Sequence, residues 1–203
     1  EWRDADTGAA ITAPALDVVI AGSLAGSEAE LVASLALGTR LAVVSDAATD
    51  AAMGHRVARA LRALGPVTPV LLADEAHADA ATVQRLCAAT RDVDALVAVG
   101  SGTINDLCKY AAAQQRKPYA VFATAPSMNG YTSANASITF DGHKRSVPAA
   151  LARGVFVDLE VLAAAPVRLI RAGLGDSLCR STGQLDWLLA RCLVRTPYRT
   201  TPF

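Results

Sequence analysis

The sequence has no C-x-x-C pair, no long block of like charge, no uncharged stretch fit to cross a bilayer, and only three histidines. Each absence removes a class of function. Nineteen basic residues balance nineteen acidic ones, so the chain lacks the concentrated positive field that a nucleic-acid surface needs. The four cysteines, Cys87, Cys108, Cys179 and Cys192, fall in helix-like or buried contexts. They read as reduced thiols of a cytoplasmic protein, not as a zinc knuckle or a disulfide frame. The longest uncharged run, Pro118 to Phe140, holds two prolines, Gly130, two asparagines and many hydroxyls, which rules out a membrane-spanning helix. No basic-then-apolar secretory leader opens the chain. It starts at Glu1 rather than Met, and further residues are expected upstream.

What is present is apolar and patterned. The composition is 52% hydrophobic, much of it alanine, which favours helices and close packing. Short β-branched or apolar runs occur at Val18–Ile20, Leu41–Ser45, Pro69–Leu72, Ala95–Val99, Tyr119–Ala123 and Gly154–Val157. Alanine-rich helical stretches lie between most of them, at about 27–37, 48–64, 78–91 and 104–115. Strand alternating with helix implies an α/β fold with a parallel sheet covered by helices on both faces. The segment Ser133 to Val147 reads as an inserted β-hairpin with Asp141-Gly142 as its turn. From Leu159 onward the pattern is helical only, with Pro166 at a helix start, and Arg195 to Phe203 has two prolines and poor helical character. The expected division is therefore an α/β domain over 1–158 and the beginning of an all-helical domain over 159–203. So short a helical piece is too small to stand alone and is expected to be incomplete.

Val99-Gly100-Ser101-Gly102-Thr103-Ile104-Asn105-Asp106 follows a strand and opens a helix. Glycines there let the backbone turn sharply and approach a pyrophosphate with no Cβ in the way. The free N–H groups of the helix start then face the anion. On these residues alone an ordinary strand-to-helix turn is an equal reading. A Rossmann fingerprint follows the first strand of its domain, whereas this turn follows about the fourth. Asp46, at the end of Val43-Val44-Ser45-Asp46, is placed to accept hydrogen bonds from a ribose diol or, equally, to cap the helix that follows.

Ala123-Thr124-Ala125-Pro126-Ser127-Met128-Asn129-Gly130-Tyr131-Thr132-Ser133 follows a strand directly. Together with Gly100–Asp106 and with Ala172-Gly173-Leu174-Gly175-Asp176-Ser177-Leu178, it resembles the sn-glycerol-1-phosphate dehydrogenase branch of the iron-containing alcohol dehydrogenase and dehydroquinate synthase superfamily. The resemblance implies a dinucleotide-binding domain for NAD or NADP, with Asp46 on the adenosine ribose and Gly100, Ser101, Gly102, Thr103 and Ile104 around the pyrophosphate. It places Thr124, Ser127 and Ser133 near the nicotinamide, and Asn129 on substrate hydroxyls. It makes Asp176 the one metal ligand, in contact with substrate, ahead of two histidines further along. Without the resemblance, Asp176 reads as a helix N-cap after Gly175.

Two departures stand out. The resemblance implies an aspartate, as members of that family usually carry, where this chain has Asn129, which keeps an acceptor, adds two donors and loses the charge. The only histidines, His55, His77 and His143, all precede Asp176 and read as solvated. The implied reaction interconverts dihydroxyacetone phosphate and sn-glycerol 1-phosphate, or a related polyol phosphate. A divalent metal (zinc, iron or nickel) would polarise the substrate oxygen, and the chain alone is expected to be inactive. No basic residue stands out for the substrate phosphate. A dehydroquinate-synthase-like cyclase and a non-catalytic nucleotide-binding module remain open. A kinase reading is disfavoured, because the glycine turn holds no acid. The partners expected are a small-molecule substrate and further copies of the chain in a homo-oligomer, with no nucleic acid and no membrane.

Overall fold

The structure is a computed structural model that describes residues 2–4, 6–11, 14–73 and 76–199. A two-stranded ribbon, β1 (Trp2–Arg3) with β2 (Ala10–Ile11), precedes the sheet. The chain then runs through β3 (Asp17–Ala21), α1 (Glu28–Ser34), β4 (Leu41–Ser45), a helix made of α2 (Ala47–Thr49), a π-helical turn (Asp50–Gly54) and α3 (His55–Leu61), and β5 (Val67–Leu71). It continues with α4 (Ala80–Ala89), β6 (Ala95–Gly100), α5 (Gly102–Gln115) and β7 (Tyr119–Ala123). The hairpin β8 (Asn135–Phe140) and β9 (His143–Pro148) comes next, then β10 (Gly154–Asp158), α6 (Leu159–Ala163) and α7 (Val167–Val194). No helix among the described residues is long and apolar enough to cross a membrane.

Six strands form one parallel sheet in the order β3-β10-β7-β6-β4-β5. The four inner strands are buried nearly throughout, which explains their unbroken apolar runs. Side chains alternate between two cores. Ala42, Val44, Leu96, Ala98 and Val121 meet α4, α5 and the hairpin on one face. Leu41, Val43, Val97, Val99 and Phe122 meet α1 and α3 on the other. Pro69 is tolerated because β5 is an edge strand, where a missing N–H need cost no ladder bond.

The helix expected over 48–64 starts at Ala47 and ends at Leu61, with its second turn widened to π geometry. A Cβ on Gly54 would lie 2.8 Å from Asp50 Oδ1 and 3.2 Å from Ser45 Cβ, so only glycine lets this turn pack against the end of β4. The hairpin turn is at Asp141 and Gly142, with φ of 49° and 77°. Left-handed geometry at both positions is what a two-residue turn needs to match strand twist.

A buried charge cluster joins three elements. Glu28 of α1 and Asp158 at the end of β10 are 1% and 0% exposed. Arg56 of α3 reaches both, its Nε 2.5 Å from Glu28 Oε1 and its Nη2 2.7 Å from Asp158 Oδ2. Asp158 also accepts the N–H groups of Leu24, Glu160 and Val161. Burial pushes the Asp158 carboxyl up, but these donors and the guanidinium outweigh it and hold its pKa below the usual aspartate value. Because the folded-state pKa is the lower one, this stabilisation is complete above about pH 4 and is lost as pH falls through the folded-state value. Arg56→Met leaves two carboxylates buried without their counter-charge, and should cost about 3 kcal/mol by urea unfolding at neutral pH. The deficit relative to the wild type should shrink as the Asp158 carboxyl protonates in acid. A loss below about 0.5 kcal/mol would mean that the cluster contributes no more than an exposed pair.

Candidate functional site

The sheet topology creates the site. From β4 the chain crosses outward to β5, whereas from its neighbour β6 it crosses the other way, to β7. Connections leaving adjacent strands in opposite directions open a crevice at the strands' carboxyl ends. Asp46 stands at the end of β4, and Gly100-Ser101-Gly102 at the end of β6. A turn after the fourth sheet strand is therefore at the switch point, as a first-strand turn is in the Rossmann order.

Gly100 lets the helix fold back tightly, since a Cβ there would lie 2.5 Å from Ile104 Cβ. Ile104 is a core residue, 2% exposed, and offers a ligand only its backbone. Gly102 is different: a Cβ would meet only Met128 Sδ, at 3.5 Å. No side chain caps the first turn of the fourteen-residue α5, so its N–H groups and positive dipole end face an open cleft of about 670 Å³. Asp46, Ser101, Thr103 and Thr124 line that cleft on the sheet side, and Glu160 and Arg168 across it. Asp46 caps α2 in a reciprocal box, with Oδ1 accepting from Thr49 N at 2.8 Å and Thr49 Oγ1 accepting from Asp46 N at 3.0 Å. The capping reading of Asp46 thus holds, and it leaves Oδ2 for a second partner.

Thr103 also borders a second cleft, of about 540 Å³. Here lie Ser127, Asn129, Ser133 and Asp176, together with Asp106 and Lys144. Ser127 and Ser133 are thus grouped with Asn129 and Asp176, away from Asp46. Asp176 is not a helix cap: it lies inside the 28-residue α7. The helix runs through Gly173 and Gly175 because Gly173 packs directly on the 126–127 backbone, where a Cβ would fall 1.7 Å from Pro126 O. One turn later, Asp176 Oδ2 accepts the Asn129 N–H at 2.7 Å.

Three organising residues were missed from sequence. Lys109 is fully buried, and its Nζ donates to Gly130 O, Ser133 Oγ and Asn135 O at 2.9–3.2 Å. Burial lowers its pKa, and Asp106, 4.0 Å away, pulls the other way. Asp106 accepts Ser137 N at 3.1 Å, and burial raises its pKa. The α5 pair at i,i+3 therefore ties the Asn129 loop and the hairpin to one helix. Tyr131 donates its hydroxyl to Ala125 O at 2.8 Å, closing the same loop. A lone lysine flanked by Leu107, Cys108 and Ala111 was the available signal.

His55, His77 and His143 are exposed, as expected. Among the described residues no three His, Cys, Asp or Glu side chains cluster so as to hold a metal ion. Asp176 is a single carboxylate, and these residues by themselves do not form a metal centre.

Residues 19–166 match the family model described as iron-containing alcohol dehydrogenase. The chain is 37% identical over 164 residues to the glycerol-1-phosphate dehydrogenase [NAD(P)+] of Bacillus licheniformis, covering 78% of this chain and 41% of that protein. It is 30% identical over 174 residues to the protein of the same name in Methanosarcina mazei, covering 86% and 49%. The chain thus spans less than half the length of these relatives. Glycerol dehydrogenase from Schizosaccharomyces pombe superposes with a TM-score of 0.71 at 23% identity, over 88% of this chain and 45% of that one. A 2-deoxy-scyllo-inosose synthase crystallised with carbaglucose-6-phosphate, NAD+ and Co2+ gives 0.64 at 21%, over 78% and 46%. The match of that family model to residues 19–166, most of the chain, establishes that the chain belongs to the iron-containing alcohol dehydrogenase family.

Proposed function

We propose that this chain supplies the nucleotide-binding domain, residues 1–158, and the first helices, from 159, of an NAD(P)-dependent dehydrogenase that interconverts dihydroxyacetone phosphate and sn-glycerol 1-phosphate. The observation that carries this reading is the meeting of two clefts at the uncapped start of α5, with Asp46 at one end and Asn129 and Asp176 at the other. The names of the 37%-identical and 30%-identical relatives support the substrate pair.

In this reading the N–H groups of Gly102, Thr103 and Ile104 hold the pyrophosphate, aided by the hydroxyls of Ser101 and Thr103. Asp46 Oδ2 accepts from the adenosine ribose while Oδ1 keeps the helix cap. Thr124, at the end of β7, lies along the path toward the second cleft, and Ser127 and Ser133 stand where the nicotinamide end would meet substrate. The bound nucleotide supplies or accepts the hydride. The Asn129 amide orients substrate hydroxyls, and Lys109 holds the loop that carries it. Asp176 would contribute one carboxylate to a metal that polarises the substrate oxygen, the other ligands not being among these residues. The exposed apolar stripe of α7, with Leu174, Leu178 and Leu185 each 62–65% exposed, supports a helical second domain beginning at Leu159. Exposed Val18 and Ile20 on edge strand β3 support assembly with further copies. The free thiols of all four cysteines support a cytoplasmic location.

Gly102→Val should fold, because space around a Cβ is open there, but should weaken NADH binding by at least about 2 kcal/mol, read by nucleotide fluorescence. Affinity equal to wild type would remove the pyrophosphate from this turn. Asp46→Asn keeps a good cap and should weaken NAD binding by about 1–3 kcal/mol, with a smaller or opposite effect on NADP, whose 2′-phosphate a carboxylate repels. Equal losses for the two cofactors would leave Asp46 with capping alone. Calorimetric titration of the 203-residue chain with zinc should show no stoichiometric binding; a one-to-one complex would mean that these residues do complete a metal site.

A further inference from the structure

The second cleft has a wall that the reading above leaves unused. In the hairpin, Ser137 pairs with Ser146 and Thr139 with Lys144. Residues directly opposite in an antiparallel pair share a face, so Ser137, Ser146 and Lys144 project to the same side. The alternate residues Ala136 and Ile138 are fully buried on the sheet domain, and a flip of the hairpin would expose them. The polar face is thereby fixed toward the cleft, where all three residues are lining residues together with Asn129 and Asp176.

Resting on the dehydrogenase reading, we propose that Lys144, with the hydroxyls of Ser137 and Ser146, is the site that takes the phosphate of a phosphorylated polyol substrate. Lys144 is the one cation among the described residues that line this cleft. A phosphate monoester carries nearly two negative charges at neutral pH, and a lysine ammonium serves it as a point charge with three donors. The two serines add hydroxyl donors from neighbouring strands. Asp106, an acid that lines the same cleft, is already held: it accepts the Ser137 N–H and faces the buried Lys109 ammonium at 4.0 Å. Asp176 and Asn129 stand with the 126–130 loop and α7 rather than on the hairpin. A substrate with phosphate on the hairpin would therefore have its hydroxyl-bearing carbons free to extend toward them.

The test uses the full-length gene product and compares sn-glycerol 1-phosphate with unphosphorylated glycerol. Lys144→Ala should raise KM for the phosphorylated substrate by about ten-fold or more with little change in kcat, the scale of losing a charge-assisted contact. Glycerol turnover and NADH affinity should stay as in wild type, and Lys144→Arg should recover most of the loss. Inorganic phosphate should compete with glycerol 1-phosphate in the wild type and lose potency in Lys144→Ala. An unchanged KM for glycerol 1-phosphate, or equal losses with glycerol, would overturn the assignment while leaving the dehydrogenase reading intact. If the wild type turns over neither substrate, the dehydrogenase reading falls. Calorimetry of glycerol 1-phosphate binding to wild type and Lys144→Ala then decides the hairpin site: weaker binding in the variant supports it, and equal or absent binding overturns it.

Discussion

The constraint on which the rest depends is that the inner strands are apolar on both faces. A strand such as Ala95–Gly100, buried at every residue, needs helices above and below. The chain meets that need by crossing from β4 to one side and from β6 to the other. The opening between the carboxyl ends of those two strands follows from that winding, and both Asp46 and the Gly100 turn are brought to it.

The helix α5 then does three jobs with different faces. Its apolar residues Ile104, Leu107, Cys108 and Ala111 fill one core, and its start presents uncapped N–H groups to the cleft. Its Asp106 and Lys109 reach the hairpin and the Asn129 loop. Burying an ammonium is costly unless its donors are all satisfied. Three oxygen acceptors at 2.9–3.2 Å and a nearby carboxylate meet that condition. The cost of burial thus makes the loop geometry specific, because any shift of the loop strips the lysine of partners.

A second close approach sets the far wall. The contact of Gly173 with the 126–127 backbone brings α7 down onto the loop, and Asp176 follows one turn on, to bond the Asn129 backbone. The Asn129 amide brings an acceptor and two donors to the cleft that Asp176 also lines, without adding a second carboxylate there.

The alternation of β-branched runs and alanine-rich stretches determined the layered α/β fold, since period and length alone distinguish buried strands from amphipathic helices. Asp141-Gly142 determined the hairpin turn in the same local way, because few residue pairs accept two left-handed conformations. The strand order was beyond sequence, because parallel pairing joins segments far apart in the chain and each inner strand is equally apolar. The hydrogen-bond partners of Lys109 and Arg56 lie 21 to 102 residues away, and Lys144 lines the cleft only because the inner face of its hairpin packs on the sheet domain. Asp176 shows the division most plainly. Sequence marked it as an acid beside glycines, which locally suggests a cap, and only the packing of Gly173 against the Pro126 carbonyl carried the helix through and turned the carboxylate toward the cleft.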